Sequence, residues 1–197
     1  MSERTPSCAT GTTSAHPLKV RLGEVVRIDT TIPFPDDAKV WLLNLDMIEQ
    51  HTGRVIDHVC VEREKLGSST VAFDQECVLY SKLRPNLNKV VLPDCGGAAT
   101  SEILPLRCNQ TRVTREFACW YLRSPSFVSY AMSKTAGAKM PRLAAKELLN
   151  ATIPLPPLFV QRQIAARLDR ICEIVAKRKT QLAQLQQLVK SRFVEAA

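Results

Sequence analysis

The chain is short of glycine, has no long apolar run and has no closely spaced cysteine pair, and each lack excludes something. Seven glycines in 197 residues leave no GxxxxGK loop and no GxGxxG after a strand, so the two common phosphate cradles are missing. No apolar stretch approaches the roughly 20 residues that span a bilayer, and the N-terminus lacks the apolar core of a signal peptide. Met1 to Pro17, rich in Ser and Thr, reads as a disordered leader that packs nothing and is too poor in arginine for a transit peptide. A cytoplasmic location with no membrane contact is expected. The seven cysteines, Cys8, Cys60, Cys77, Cys95, Cys108, Cys119 and Cys172, include no pair at the two-residue spacing of a zinc knuckle or redox motif. In a reducing compartment they read as small buried hydrophobes. His51, His58 and Cys60 lie close in sequence, but no fourth ligand is evident and no metal site is expected.

Catalytic constellations are missing as well. There is no Asn-Pro-Pro-aromatic run such as resembles the catalytic motif of amino-group DNA methyltransferases, and no Ser/His/Asp set at a recognisable spacing. Glu62, Glu64 and Asp74 sit among basic and polar residues and read as solvated surface, not as a gathered Mg²⁺ set. No catalytic residue and no bound cofactor are therefore expected of this chain. What is present is positive charge. With 27 Lys and Arg against 19 Asp and Glu the net charge is +8 and the pI near 9.3, which favours an anionic partner. Hydrophobic content of 45% is ample for one core, and the length fits one domain plus an appendage.

Short β-type runs come first. Leu18 to Ile28 reads as a strand edge with a helical turn around Leu22–Val26, and Val40 to Leu43 as a strand followed by a turn at Asp46–Gln50. Further strands are expected at Val55–Val61, Thr70–Phe73, Cys77–Tyr80, Lys89–Leu92 and Ile103–Leu106, with Gly96-Gly97 as the turn between the last two. Helical spacing then takes over at Glu116–Leu122 and Ser126–Met132, split by Ser124-Pro125, where the serine can cap the second helix. Lys134 to Met140 reads as a flexible basic loop around Gly137, Leu143 to Leu149 as a short helix, and Ala151 to Leu155 as an extended exit. The fold class is α+β, an irregular mixed-sheet domain over 18–157 followed by one long C-terminal coiled-coil helix over 158–197.

The boundary is set by Ile153-Pro-Leu-Pro-Pro-Leu158, whose three prolines remove backbone donors and hold the chain extended. Beyond it Ile164, Leu168, Ile171, Val175, Leu182, Leu185 and Val189 recur at alternating three- and four-residue steps, the seam of a coiled coil, widened by Ile174 and Leu188. A lone helix cannot hide such a stripe from water, and the domain's helices all read as short, so the expected partner is another chain. Arg178 falls on the seam, where it either fixes register or snorkels to solvent.

The polar candidates cluster. Tyr80-Ser-Lys-Leu-Arg-Pro85, then Asn86, Asn88 and Lys89, place Ser81, Lys82, Arg84 and the amides in one turn-forming segment after a strand. Arg and Lys can engage guanine in a major groove, and Asn can pair bidentately with adenine. Ser101 could add a hydroxyl, with Glu102 an acceptor for a cytosine amino group. Lys134, Lys139 and Arg142 flank Gly137 on a loop able to approach phosphates. The competing reading makes each a solvated side chain, and Arg84-Pro85 a strand-ending turn.

Four segments together resemble the specificity subunits of type I restriction-modification systems. They are Val40–Ile48, Val78–Lys89 with Ala99–Glu102, Ala136–Leu143, and Ile153–Leu158 with Gln161, Ile164 and Leu168-Asp169. The resemblance implies a target recognition domain reading one half of a split site in double-stranded DNA, joined to a helix that sets half-site spacing. It also implies docking to a methyltransferase subunit that brings S-adenosylmethionine, and to a restriction subunit, where one exists, that uses ATP and Mg²⁺. In the family two such domains and two helices usually occupy one chain. Only one of each is present here, which points to a half-subunit acting as a homodimer or paired with another half-subunit. Val160 replaces an acidic residue often found before Gln161. The competing function is a helical assembly protein that dimerises or competes for the methyltransferase without reading DNA.

Overall fold

The structure, a computed structural model, describes residues 18–136 and 139–195, with the side chains of the last helix described up to Ser191. The expected leader Met1–Pro17 and the loop centre at Gly137 lie outside the described residues. Ten strands, β1 (Leu18–Arg21), β2 (Val26–Ile28), β3 (Lys39–Leu43), β4 (Val59–Glu62), β5 (Thr70–Phe73), β6 (Cys77–Ser81), β7 (Val90–Val91), β8 (Gly97–Thr100), β9 (Ile103–Cys108) and β10 (Thr152–Leu155), precede or interleave with four helices. These are α1 (Arg115–Arg123), α2 (Pro125–Ser133), α3 (Ala145–Asn150) and α4 (Leu158–Glu195). The α+β class with one long C-terminal helix is as expected.

Two four-stranded sheets carry the domain, ordered β2-β9-β6-β7 and β4-β3-β8-β5, and β1 pairs with β10 in a separate ribbon. All pairings are antiparallel except that of β3 with β8. Strand β6, Cys-Val-Leu-Tyr-Ser, is buried along its whole length. Side chains alternate across a strand, so Val78 and Tyr80 enter one core with Leu106, Phe117, Leu122 and Phe127. Cys77 and Leu79 enter a second with Trp41, Phe73 and Ile103. Burial on both faces explains why this strand reads as a continuous apolar run without the usual alternation.

The Gly96-Gly97 turn is a correction, because Gly97 opens β8. A Cβ at Gly97 would stand 2.7 Å from the Trp41 carbonyl oxygen and 2.8 Å from the Phe73 ring, so only a glycine lets the strand approach. Ala98 and Ala99 behind it are fully buried. Small side chains carry little β propensity, and the strand was hidden for that reason. The expected strand at Val55–Val61 is also shorter, reduced to a bridge from Ile48 to Val55 and then β4.

Helix starts are chemically marked. The Thr114 hydroxyl accepts from Phe117 N–H at 3.2 Å, and Ser124 accepts from Phe127 N–H at 3.3 Å with Pro125 in the first turn of α2. Pro154 sits in β10 opposite Lys19, tolerated because this ribbon has only two strands.

The start of α4 differs from the expectation that the domain offers no helix to pack on. The α1 region does so for the first three turns. Gln161 is wholly buried; its Oε1 accepts from Thr114 N–H at 2.9 Å, and its Nε2 donates to Arg112 O at 2.9 Å and Pro156 O at 2.8 Å. Ala165 is buried, Leu168 half-buried, and the Trp120 indole donates to Asp169 at 3.0 Å. Beyond this point the stripe is bare, with Ile171 55%, Leu182 59% and Leu185 59% exposed. Arg178 bonds Gln181 along its own helix at 3.2 Å. Among the described residues no helix is long and apolar enough to cross a membrane.

Candidate nucleic-acid interface

The loop from β6 to β7 is closed at its base by Ser81 N–H donating to Lys89 O at 3.1 Å. Within it a 3-10 turn at Pro85–Leu87 is bracketed by two left-handed residues, Arg84 (φ 50°, ψ 66°) and Asn88 (φ 49°, ψ 52°). Asn visits this region readily, but for Arg it costs on the order of 1–2 kcal/mol. The surroundings hold it there. Arg84 N–H donates to Pro141 O at 2.8 Å, Leu87 N–H to Arg84 O at 2.9 Å, and the Asn88 amide to Arg123 O at 2.9 Å.

Two further segments join this loop. Leu83 bridges Arg142, Leu143 N–H donates to Lys82 O at 2.9 Å, and Ala136 also bridges Arg142. Lys82 N–H donates to Glu102 O at 3.0 Å, and the Arg142 guanidinium pairs with the Glu102 carboxylate at 3.1 Å. Stretches around residues 84, 102 and 142 thus form one surface, although 40 residues separate the last two.

The sequence candidates divide by what they touch. Arg84, Asn86, Lys134 and Lys139 are exposed and Lys82 is half-buried. Among the described residues the four cations of that set have no carboxylate partner. The others hold the loop together. Ser81 is buried and donates to Leu83 O at 3.0 Å, Asn88 anchors on Arg123, Arg142 is committed to Glu102, and Lys89 donates to Leu45 O. Partial burial pulls Lys89 below the usual lysine range, with Asp46 opposing. Ser101 is half-buried, its backbone N–H tied to Ser69 O at 2.9 Å. Beside the loop runs a groove of about 650 Å³, with Leu45, Ile48, Ile56 and Leu83 along it and Arg84 and Lys89 at its rim.

One part-buried charge network gave no sequence signal. Arg107 donates to Asp29 at 2.9 Å and to Asp74, and joins strands of the first sheet to the β5–β6 turn. The Thr31 hydroxyl bond, with Arg107 adding to it, outweighs burial and holds the Asp29 carboxyl below its ordinary range. Nothing in the spacing of residues 29, 74 and 107 announces that they meet.

Residues 98–187, from β8 into α4, match the family described as "Type I restriction modification DNA specificity domain". Over that stretch, somewhat under half of its length, the chain is similar to this domain. The EcoDI specificity subunit of Escherichia coli is 23% identical over 124 residues, 63% of this chain but 27% of that protein. Among solved structures, the HsdS subunit from Thermoanaerobacter tengcongensis is 25% identical with a TM-score of 0.69, over 86% of this chain and 45% of that one. A structure of a type I R-M system gives a TM-score of 0.71 at 22% identity, over 87% of this chain and 46% of the other. The chain therefore spans less than half the length of each of these relatives.

Proposed function

We propose that the chain binds double-stranded DNA as the specificity subunit of a type I restriction-modification complex, reading one half of a split site. The observation that carries this is the convergence of the Ser81–Lys89 loop, Glu102 and the Ala136–Leu143 segment into one surface with unpaired cations at its edge. Unpaired exposed cations suit phosphates, while a loop held rigid suits base edges, which must be met at fixed distance. In this reading residues 18–157 are the reader and residues 158–197 the spacer. The bare stripe from Ile171 to Val189 is covered by the same helix of a second copy, and the pair docks a methyltransferase subunit. S-adenosylmethionine belongs to that subunit, and this chain supplies no catalytic group.

The test is fluorescence anisotropy of random and site-enriched duplexes, with and without the methyltransferase, across a salt series. Affinity should fall steeply as salt rises, because each neutralised phosphate releases counterions. Salt-insensitive or absent binding in the reconstituted complex would overturn the proposal. Neutralising Lys82, Arg84 and Lys139 together, which leaves the Lys89 bond to Leu45 in place, separates the rival reading. If methyltransferase capture persists and DNA selection is unchanged, the chain assembles complexes without reading DNA through this face.

A further inference from the structure

His58, just before β4, stacks on Trp41 with ring centroids 4.2 Å apart and planes 12° from parallel. Stacking occupies the faces of the imidazole and leaves its nitrogen lone pairs, which lie in the ring plane, available at the edge. Those nitrogens meet Asp94 and Cys95 from the connection between β7 and β8, and the three candidate donor atoms all lie within 4.8 Å of one another. Tetrahedral zinc with bonds of about 2.0–2.3 Å places its donors roughly 3.3–3.8 Å apart, a distance that small rotations of exposed side chains can reach. A fourth donor, the exposed thiol of Cys60, lies opposite Trp41 in the β3–β4 register, two residues after His58 but outside the group within 4.8 Å, so it joins only when its side chain rotates.

We propose that His58, Cys60, Asp94 and Cys95 form a binding site for one zinc-class divalent cation, which ties the edge strand β4 to the β7–β8 connection. Thiolate, imidazole and carboxylate are all zinc ligands, and four of them complete a tetrahedral shell. All four side chains are exposed, so no burial bars the ion, and both thiols are free. His51, close in sequence, is not in this group of donor atoms. Ile56, two residues before His58, lines both the cleft beside this cluster and the groove beside Arg84. The ion would thus steady one wall of that groove.

Cobalt(II) titration of the full chain tests this, after chelator stripping and under a phosphine reductant that keeps Cys60 and Cys95 from oxidising. Expected are one equivalent bound, a tetrahedral visible spectrum with thiolate charge transfer, displacement by zinc, and a higher melting temperature with zinc than without. Cys60→Ser should reduce the charge-transfer intensity to about half, as one of two thiolate ligands is lost. His58→Gln and Cys95→Ser should each weaken binding about tenfold or more, while Cys172→Ser, on α4, should leave it unchanged. Absence of stoichiometric uptake, or a spectrum unaltered when His58→Gln and Cys95→Ser are combined, would overturn the site. Circular dichroism of the metal-free variants separates lost ligands from lost fold.

Discussion

Arg84 holds a left-handed backbone next to a proline, with its N–H committed to Pro141 and its side chain in solvent. The backbone strain and the exposed guanidinium beside the groove are two separate features of this residue. Arg84→Gly separates the two roles. Relief of strain should leave stability unchanged or raise it by about 0.5–1 kcal/mol in urea denaturation. DNA selection should weaken by about 1–3 kcal/mol if the guanidinium reads a base. Unchanged selection by the glycine variant would remove Arg84 from the interface. At Asp29 the argument concerns pH. Its carboxyl in the fold lies below the ordinary value of about 4, so the ionised form favours folding. That contribution is complete at neutral pH and is lost as pH falls from the ordinary value through the folded one. Urea midpoints measured down to about pH 3 should decline, and Asp29→Asn should be less stable at neutral pH with a flatter acid limb.

Among elements, legibility followed how local the cause was. Thr70–Phe73 and the two helices split by Ser124-Pro125 were readable because β-branched runs and caps act within a few residues. Strand β8 was not, because its glycine and alanines are chosen by Trp41 and Phe73, residues distant in sequence. In the candidate interface the segments were readable but their roles were not: whether Arg142 faces a phosphate or Glu102 depends on a pairing across 40 residues. Gln161 illustrates the same limit. Its place in a motif at the root of the long helix was readable, but not that its amide satisfies Thr114 N–H and two carbonyls inside the protein. Gln161→Ala should destabilise the domain by about 2–4 kcal/mol, because buried backbone groups lose their partners. A urea midpoint equal to wild type would show that water replaces the amide there at no cost.

For the whole molecule the question is what covers α4. Leu182 and Leu185 lie more than three turns beyond Asp169, which bonds Trp120 of α1, and are each 59% exposed in the single chain. The pair of substitutions Leu182→Asp and Leu185→Asp should therefore change domain stability by less than about 0.5 kcal/mol. Light scattering should show the dimer giving way to monomer. A wild-type chain that is already monomeric at micromolar concentration, or a variant that still dimerises, would remove the second copy from the stripe.

The Gln161 anchor also has a geometric consequence. A 38-residue helix is about 57 Å long, so a swing of about 10° at its root carries the tip sideways by roughly 10 Å, about three base-pair steps of duplex. Three hydrogen bonds from one amide thus fix an angle whose error is magnified along the whole arm, and loosening them would blur a distance far from where they are made.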